Sequence, residues 1–318
     1  MAARLLLLLC ATSLIIIGWT VAAAQTPPPA PEPVDDPEIL LQLPEVGDEI
    51  EAYLHLPTIE PPSRIRTLAT SNQGFCVLYY GGVSRCFDLN GQRQNSPTVP
   101  LLSLSAGDAH YCGLDQRSHV VCWGQSPGAT AAPEDEAMLA VAAGANHSCA
   151  IDSSGKPRCW GDADRQPSST LRGPFAFIEA AGDRSCAFGA RETSRCWEDS
   201  TSSTKPFDQP VGKLAMSSDV TCAIDHHNRP VCLFHDAAPR RPRMPTTRAS
   251  DIAAGRDFAC TLDPQGVIEC VGSGAPQFDD QVQSAQMIDA GEELLCAATA
   301  TSAIRCWNDA GPITWPTD

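Results

Sequence analysis

Seven times along this chain, two cysteines stand ten positions apart. The pairs are Cys76 and Cys86, Cys112 and Cys122, Cys149 and Cys159, Cys186 and Cys196, Cys222 and Cys232, Cys260 and Cys270, and Cys296 and Cys306. Their first members recur every 36 to 38 residues. A period in that range marks an array of one supersecondary unit. The inner spacing is constant while the gaps between pairs vary. Each pair therefore lies inside a rigid unit, and the loops that change length lie between units.

Alignment on the first cysteine brings out three short strand-like runs per unit. The third unit reads AVAAGANHSCAIDSSGKPRCWG, and the sixth IAAGRDFACTLDPQGVIECVG. The first run ends in Ala-Gly in five units: Ala106-Gly107, Ala143-Gly144, Ala181-Gly182, Ala254-Gly255 and Ala290-Gly291. Such pairs suit close packing or positive φ near a crowded axis. Between the cysteines, Asp152 to Gly155 and Asp263 to Gly266 place Asp and Gly where a type I turn and a following left-handed residue require them. The cysteines then lie on the two arms of a β-hairpin. With the turn midway they stand opposite each other, which suits a disulfide. Structural zinc is the competing reading, but it uses close Cys-x-x-Cys ligand pairs, and the chain has none. Trp123, Trp160, Trp197 and Trp307 follow the second cysteine directly, with Phe87, Leu233 and Val271 in the other units. A bulky residue at a fixed repeat position is expected in the core between units.

Cysteine pairing at this density points to an oxidising compartment. The N-terminus agrees. Arg4 precedes a nearly apolar run from Leu5 to Trp19, and Ala22-Ala23-Ala24 offers a signal-peptidase site with Gln25 as the mature start. Uncleaved, the run is long enough to anchor the chain in a bilayer. The fifteenth cysteine, Cys10, lies in this run without the small residue of a lipobox before it. Residues 25–62 hold nine acidic residues, no Lys or Arg, and many prolines, the composition of an extended spacer. The expected organisation is a signal peptide over 1–24, an acidic Pro-rich linker over 25–62, and a repeat domain over 63–318. That domain keeps 21 basic and 29 acidic residues. Such a balance argues against nucleic-acid binding, which needs Lys and Arg to displace counterions.

The Ala-Gly pair, the Asp-x-x-Gly turn and the closing aromatic-Gly together resemble the regulator of chromosome condensation repeat family. The third unit carries that motif in full. The fifth departs most, with Ser217-Ser218 in place of Ala-Gly and Leu233-Phe234 in place of Trp-Gly. The resemblance implies an all-β fold, a seven-bladed β-propeller. The short units are more similar to the largely three-stranded blades of a disulfide-bearing secreted branch, such as the propeller-type β-lactamase inhibitory proteins, than to the nuclear exchange factor. Ring closure is expected to pair the segment Arg64 to Thr70 with strands near the C-terminus.

Catalytic constellations are nearly absent from the sequence. Gly124-Gln125-Ser126-Pro127-Gly128 matches the string of a nucleophile elbow, but Pro127 lacks the N–H that would complete an oxyanion hole. His110 and His147 hold equivalent repeat positions and are expected as solvated loop residues. No cofactor motif and no metal-ligand spacing occurs. The most distinctive surface patch is Arg240, Arg241 and Arg243 with Arg248, a set that can recognise carboxylates or phosphates. The chain therefore reads as an exported, monomeric, non-enzymatic propeller without a membrane span after signal cleavage. It holds an unidentified protein partner on inter-blade loops, with these arginines as the charged element. The alternatives are an exported propeller enzyme acting on cell-envelope polymers, which would need convergent carboxylates or a metal at the axial opening, and a structural or adhesion module. Export argues against guanine-nucleotide exchange.

Overall fold

A computed structural model describes residues 64–313, apart from 134–135, 163–165, 168–170, 172, 190–193, 201–202, 236–241 and 279–283. The expected signal peptide, the linker, Cys10, Arg240 and Arg241 lie outside the described residues. Within them the chain is a seven-bladed β-propeller of three- and four-stranded antiparallel sheets. The inner, middle and outer strands of blade 1 are Ile65–Ser71, Gly74–Tyr79 and Ser84–Asp88. In blade 2 they are Ser105–Ala106, His110–Leu114 and Val120–Gly124, and in blade 3 Met138–Ala143, His147–Asp152 and Pro157–Gly161. Blade 4 is built from Phe177–Ala181, Arg184–Phe188 and Arg195–Trp197, and blade 5 from Val211–Met216, Val220–Asp225 and Pro230–Phe234. Blade 6 comprises Asp251–Gly255, Phe258–Leu262 and Ile268–Gly272, and blade 7 Ala285–Ala290, Leu295–Thr299 and Ile304–Asn308. Short fourth strands, Arg93–Gln94 and Gly311–Pro312, extend blades 1 and 7.

Each hairpin follows from local chemistry. Asp115, Asp152, Asp225 and Asp263 open the middle-to-outer turns, and one carboxylate oxygen of each accepts the backbone N–H groups two and four residues on. The left-handed residue is Gly155 or Gly266 where glycine is present, and Ser118, Asn228 or Ser302 elsewhere. These turns set the register, and in all seven blades the two cysteines are direct cross-strand partners. All seven pairs are disulfide-bonded, with Cα–Cα separations of 4.0 to 4.1 Å, the narrow non-hydrogen-bonded pairing of an antiparallel ladder.

The core is divided into seven apolar clusters, one at each interface between neighbouring blades. Side chains alternate between the two faces of a strand. The disulfide of each blade accordingly packs into the interface with the following blade. The aromatic after the second cysteine turns the other way: Trp197 and Trp307 pack fully buried against the preceding blade, and Trp123, Trp160 and Phe87 half-buried. The Ala-Gly pairs serve close approach more than positive φ. A Cβ on Gly144 would lie 2.3 Å from the His147 ring, and one on Gly107 2.1 Å from the Gly144 carbonyl oxygen.

Two expectations are corrected. Among the described residues the ring does not close by strand exchange. The strand Ile65–Ser71 pairs only with its own neighbour in blade 1. Closure instead packs blade 1 against blade 7 through Ile65, Leu68, Phe75, Val77, Leu294 and Cys296. Two hydrogen bonds cross the seam: the Thr70 N–H donates to Asp289 Oδ2 at 2.6 Å, and the Glu292 N–H to Asn72 Oδ1 at 2.8 Å. His110 and His147 are not solvated. Both are buried, and their Nε2 atoms meet the Oγ of Ser148 and Ser185 in the following blade at 2.8 and 2.7 Å. Their position two residues before a cysteine shares that cysteine's face, which points into the interface.

Removal of one disulfide tests its share of this packing. The paired Cys149→Ala and Cys159→Ala variant should lose about 3 kcal/mol from loop closure alone, with a further loss where the sulfurs filled the interface with blade 4. Chemical denaturation reads the difference. A change under about 1 kcal/mol would show the hairpin to be set by its turn without the bond.

Candidate functional site

The inner strands line a channel along the axis that encloses about 390 Å³. The residues opposite the first cysteine of each blade occupy one level: Ala69, Ser105, Ala142, Glu179, Ala215, Ala253 and Asp289. The small side chains of Ala69, Ser105 and Ala215 line the lumen and leave it open, while Ala142 and Ala253 are fully buried. Glu179 and Asp289 put carboxylates into it. One step along the strands, Lys213 and Asp251 add a second pair of charges, and they form an ion pair with each other. Blades 4, 5, 6 and 7 thus contribute one charged residue each, while Arg66 stands exposed at the rim.

The four groups are not equally satisfied. Asp251 accepts the N–H groups of Ile252 and Ile288 at 2.8 and 3.0 Å besides its ion pair with Lys213. Asp289 accepts the Thr70 N–H. No hydrogen bond from the described residues reaches Glu179. Burial, reinforced by the negative charge of Asp289, pushes its carboxyl up to about 8. Burial likewise raises Asp289 to about 7, against the opposing effect of the Thr70 N–H and Lys213. Lys213 is raised, because the attraction of Asp251, Asp289 and Glu179 outweighs its own burial. His110 moves the other way. Burial, with the proximity of His147, lowers it to about 4.

Following the strand directions, the inner-to-middle turns form one face of the ring, here the upper face, and the middle-to-outer turns form the lower face. At the upper end the channel narrows to a space of about 30 Å³. Glu292 of blade 7 crosses that end. Its carboxylate accepts the Ser218 N–H and Oγ–H of blade 5, both at 2.7 Å, and lies 3.5 Å from the Arg256 guanidinium of blade 6. At the lower end a cleft of about 760 Å³ between blades 6, 7 and 1 continues the channel past Arg66 and Met287. Tyr80, Val83, Leu139, Phe177 and Val267 stand exposed on this face. Leu139 owes its exposure to a bulge in its strand, which breaks the alternation.

Of the arginines expected at a partner surface, Arg243 and Arg248 are exposed. Their segment is anchored by Met244 and Ala249 in the apolar cluster between blades 5 and 6, and by a 2.7 Å hydrogen bond from Thr246 Oγ1 to Glu269. The stretch Gly124 to Gly128 does run from a strand into a helical turn, Pro127–Thr130. Its role is packing: buried Ala129 presents its carbonyl to Ser148 Oγ at 2.9 Å and to Trp160 Nε1 at 2.8 Å. No metal-binding cluster of His, Cys, Asp and Glu occurs among the described residues. The axial carboxylates went unnoticed in the sequence, although a signal existed. Glu179 and Asp289 are charged residues inside the otherwise apolar runs IEAAG and MIDAG.

The description Regulator of chromosome condensation (RCC1) repeat matches residues 139–165, the third blade. Comparison with curated sequences finds no match. Among solved structures, the CRINKLY WD40 ectodomain of the Arabidopsis thaliana receptor kinase ACR4 is 19% identical over 80% of this chain and 98% of that one, with a TM-score of 0.59. The entire ectodomain of the Physcomitrella patens receptor kinase CR4 is 22% identical over 80% of this chain and 77% of that one, with a TM-score of 0.58. Prp20p from Saccharomyces cerevisiae, studied for its binding to Gsp1p and histones, is 16% identical over 68% and 75% of the two chains, with a TM-score of 0.55. At these identities the likeness shows the fold. The chain is thus a seven-bladed propeller whose third blade matches this repeat and whose every blade carries one disulfide.

The shifted groups set a pH profile. Glu179 and Asp289 are easier to protonate in the folded state than in the unfolded one. Their contribution is complete at low pH and is lost as pH rises through about 7 and 8. Neutral His110 contributes above its ordinary value of 6.5, and that contribution is lost as pH falls through about 4. Above pH 6.5, where His110 is neutral folded and unfolded alike, the melting temperature should therefore fall toward pH 8. Glu179→Gln should flatten the alkaline limb, and His110→Gln, which keeps a hydrogen-bonding group toward Ser148, the acid limb. Melting curves from pH 4 to 9 that are unchanged by both substitutions would show that these groups do not set the profile.

Proposed function

We propose that this chain is an extracytoplasmic, non-enzymatic binding propeller that holds a protein partner on its lower face. The observation that carries the reading is the concentration of exposed large apolar side chains there. Tyr80 is 65% exposed, Val83 55%, Leu139 54% and Phe177 51%; they belong to blades 1, 3 and 4, and Tyr80 lines the cleft between blades 6, 7 and 1. Large apolar side chains exposed on one face suit contact with a partner. The scaffold positions are committed to disulfides and inter-blade packing, so binding chemistry falls to turns and connecting loops. The disulfides, the apolar N-terminal run and the likeness to two receptor ectodomains support a place outside the cytoplasm. The segment from Arg243 to Arg248 leads into the inner strand of blade 6, which starts at the lower face, and it supplies positive charge there.

A second reading, an exported enzyme acting on cell-envelope polymers, gains one observation, the axial carboxylates. Asp251 is neutralised by Lys213, however, and the channel narrows at its upper end, so a polymer cannot thread between paired acids there.

The test is capture from extracytoplasmic extract of the source organism, with binding then measured on the purified pair. Tyr80→Ala with Val83→Ser should weaken binding about tenfold or more, as loss of an anchor side chain does. Replacing Arg240, Arg241 and Arg243 with alanine should weaken binding to an acidic partner at low salt and leave the melting temperature nearly unchanged, since rim charges act through association and exposed charges add little to folding. Equal binding by all variants would move the partner to the upper face. Loss of polymer hydrolysis in Glu179→Gln, with binding intact, would establish the enzyme instead.

A further inference from the structure

We infer that the axial channel is a binding site for one organic cation, a guanidinium or alkylammonium group, held chiefly by Glu179 and Asp289. The inference does not depend on the protein-binding reading, because it concerns the channel and its own charges.

The charges facing Glu179 can be counted blade by blade. Blade 5 offers Lys213, which is already ion-paired with Asp251 of blade 6. Blade 7 offers Asp289, whose negative charge repels Glu179. Blades 1, 2 and 3 place Ala69, Ser105 and Ala142 at the same level and supply no charge there. Arg66 of blade 1 is at the exposed rim and is not among the groups that shift Glu179. The channel therefore holds two carboxylates, Glu179 and Asp289, beyond the one that Lys213 neutralises, and Glu179 accepts no hydrogen bond from the described residues. Glu179 is half-buried at the lumen wall, and a carboxylate there gains from a donor brought into the channel.

The shape of the gap selects the donor. The carboxylates do not converge as ligands of a metal ion would. They line a lumen of about 390 Å³ on different blades, which suits a flat or elongated cation with several N–H donors. The walls suit the stem of such a group. Leu68, Leu104, Val141, Met216 and Met287 line the lumen between the polar positions. Access is from the lower face, since Glu292 and its hydrogen bonds to Ser218 cross the upper end. The raised carboxyls agree: a cation placed between them would favour their ionised forms and expel the protons they retain near neutrality.

The experiment is calorimetric titration of the mature protein with N-acetyl-arginine amide at pH 7.5, in two buffers of different protonation enthalpy. N-acetyl-citrulline amide, of equal shape and no charge, is the control. The arginine compound should bind and release protons, and the citrulline compound should bind at least tenfold more weakly. Glu179→Gln should lower the affinity for the arginine compound at least tenfold and reduce the proton release, without lowering the melting temperature. Asp289→Asn should weaken binding as well, but it also touches the seam at Thr70, so Glu179→Gln is the deciding variant. Absence of binding up to 10 mM arginine compound (roughly −2.7 kcal/mol as a bound on affinity), equal binding of the citrulline compound, or unaltered binding in Glu179→Gln would each overturn the inference. Partner capture on the lower face is measured separately, so either reading can fail alone.

Discussion

Everything else in this ring rests on the contact between the disulfide of one blade and the inner strand and closing aromatic of the next. A three-stranded sheet of five-residue strands has too little surface to fold alone. Two features turn it into a stackable unit. The disulfide ties the middle and outer strands at their centre, and it presents sulfur and backbone as an apolar patch on one face. The following aromatic, one residue on, presents the other face. Because strand side chains alternate, a single dipeptide such as Cys196-Trp197 serves two interfaces at once. A shift of one residue in register would exchange the faces and spoil both. The Asp-capped turns hold the register that keeps them in place.

Most of this was legible in the sequence, and the reason is physical. A constant spacing of ten residues about a turn fixes a hairpin register, and seven copies of it leave little choice but a closed array. What escaped was anything decided by neighbours far apart in sequence. His110 and His147 read as loop residues because polar side chains before a cysteine carry no local sign of burial. Only the next blade's serine, 38 positions on in each case, provides the hydrogen bond that makes burial tolerable. The mode of closure was hidden for the same reason, since apolar packing and two hydrogen bonds across a seam leave no pattern in either terminal segment. The axial charges were legible in part. Glu179 and Asp289 interrupt apolar runs, but nothing in the sequence says that the strands carrying them surround one lumen.

The seam and the lumen share a residue. Asp289 binds the Thr70 N–H across the junction of blades 7 and 1 while its charge faces Glu179 in the channel. Glu292, three residues on, does a similar double duty: its backbone N–H meets Asn72 of blade 1, and its carboxylate reaches Ser218 of blade 5. Blade 7 thus uses two acidic residues in joining the last blade to the first. Among the described residues no strand is exchanged across that junction, and these polar contacts and one apolar cluster join the two blades.

The two faces of the ring differ in how their acidic residues are used, and this sets which face is available for binding. On the lower face Asp115, Asp152, Asp225 and Asp263 spend their carboxylates on backbone N–H groups within their own turns. Asp152 and Asp225 are held below the ordinary carboxylate range by those bonds, against the burial that would raise them. On the upper face Asp108, Asp219, Asp257, Glu292 and Glu293 stand around the axis with Arg256 as the nearest cation, and burial together with Glu292 raises Asp108. Negative charge is therefore spent locally below and accumulates above. A partner reaching the lower face meets apolar side chains and arginines, with turn carboxylates already satisfied. Desolvating that face leaves few unpaired charges behind. Covering the upper face would strand several, which is the costlier interface to form.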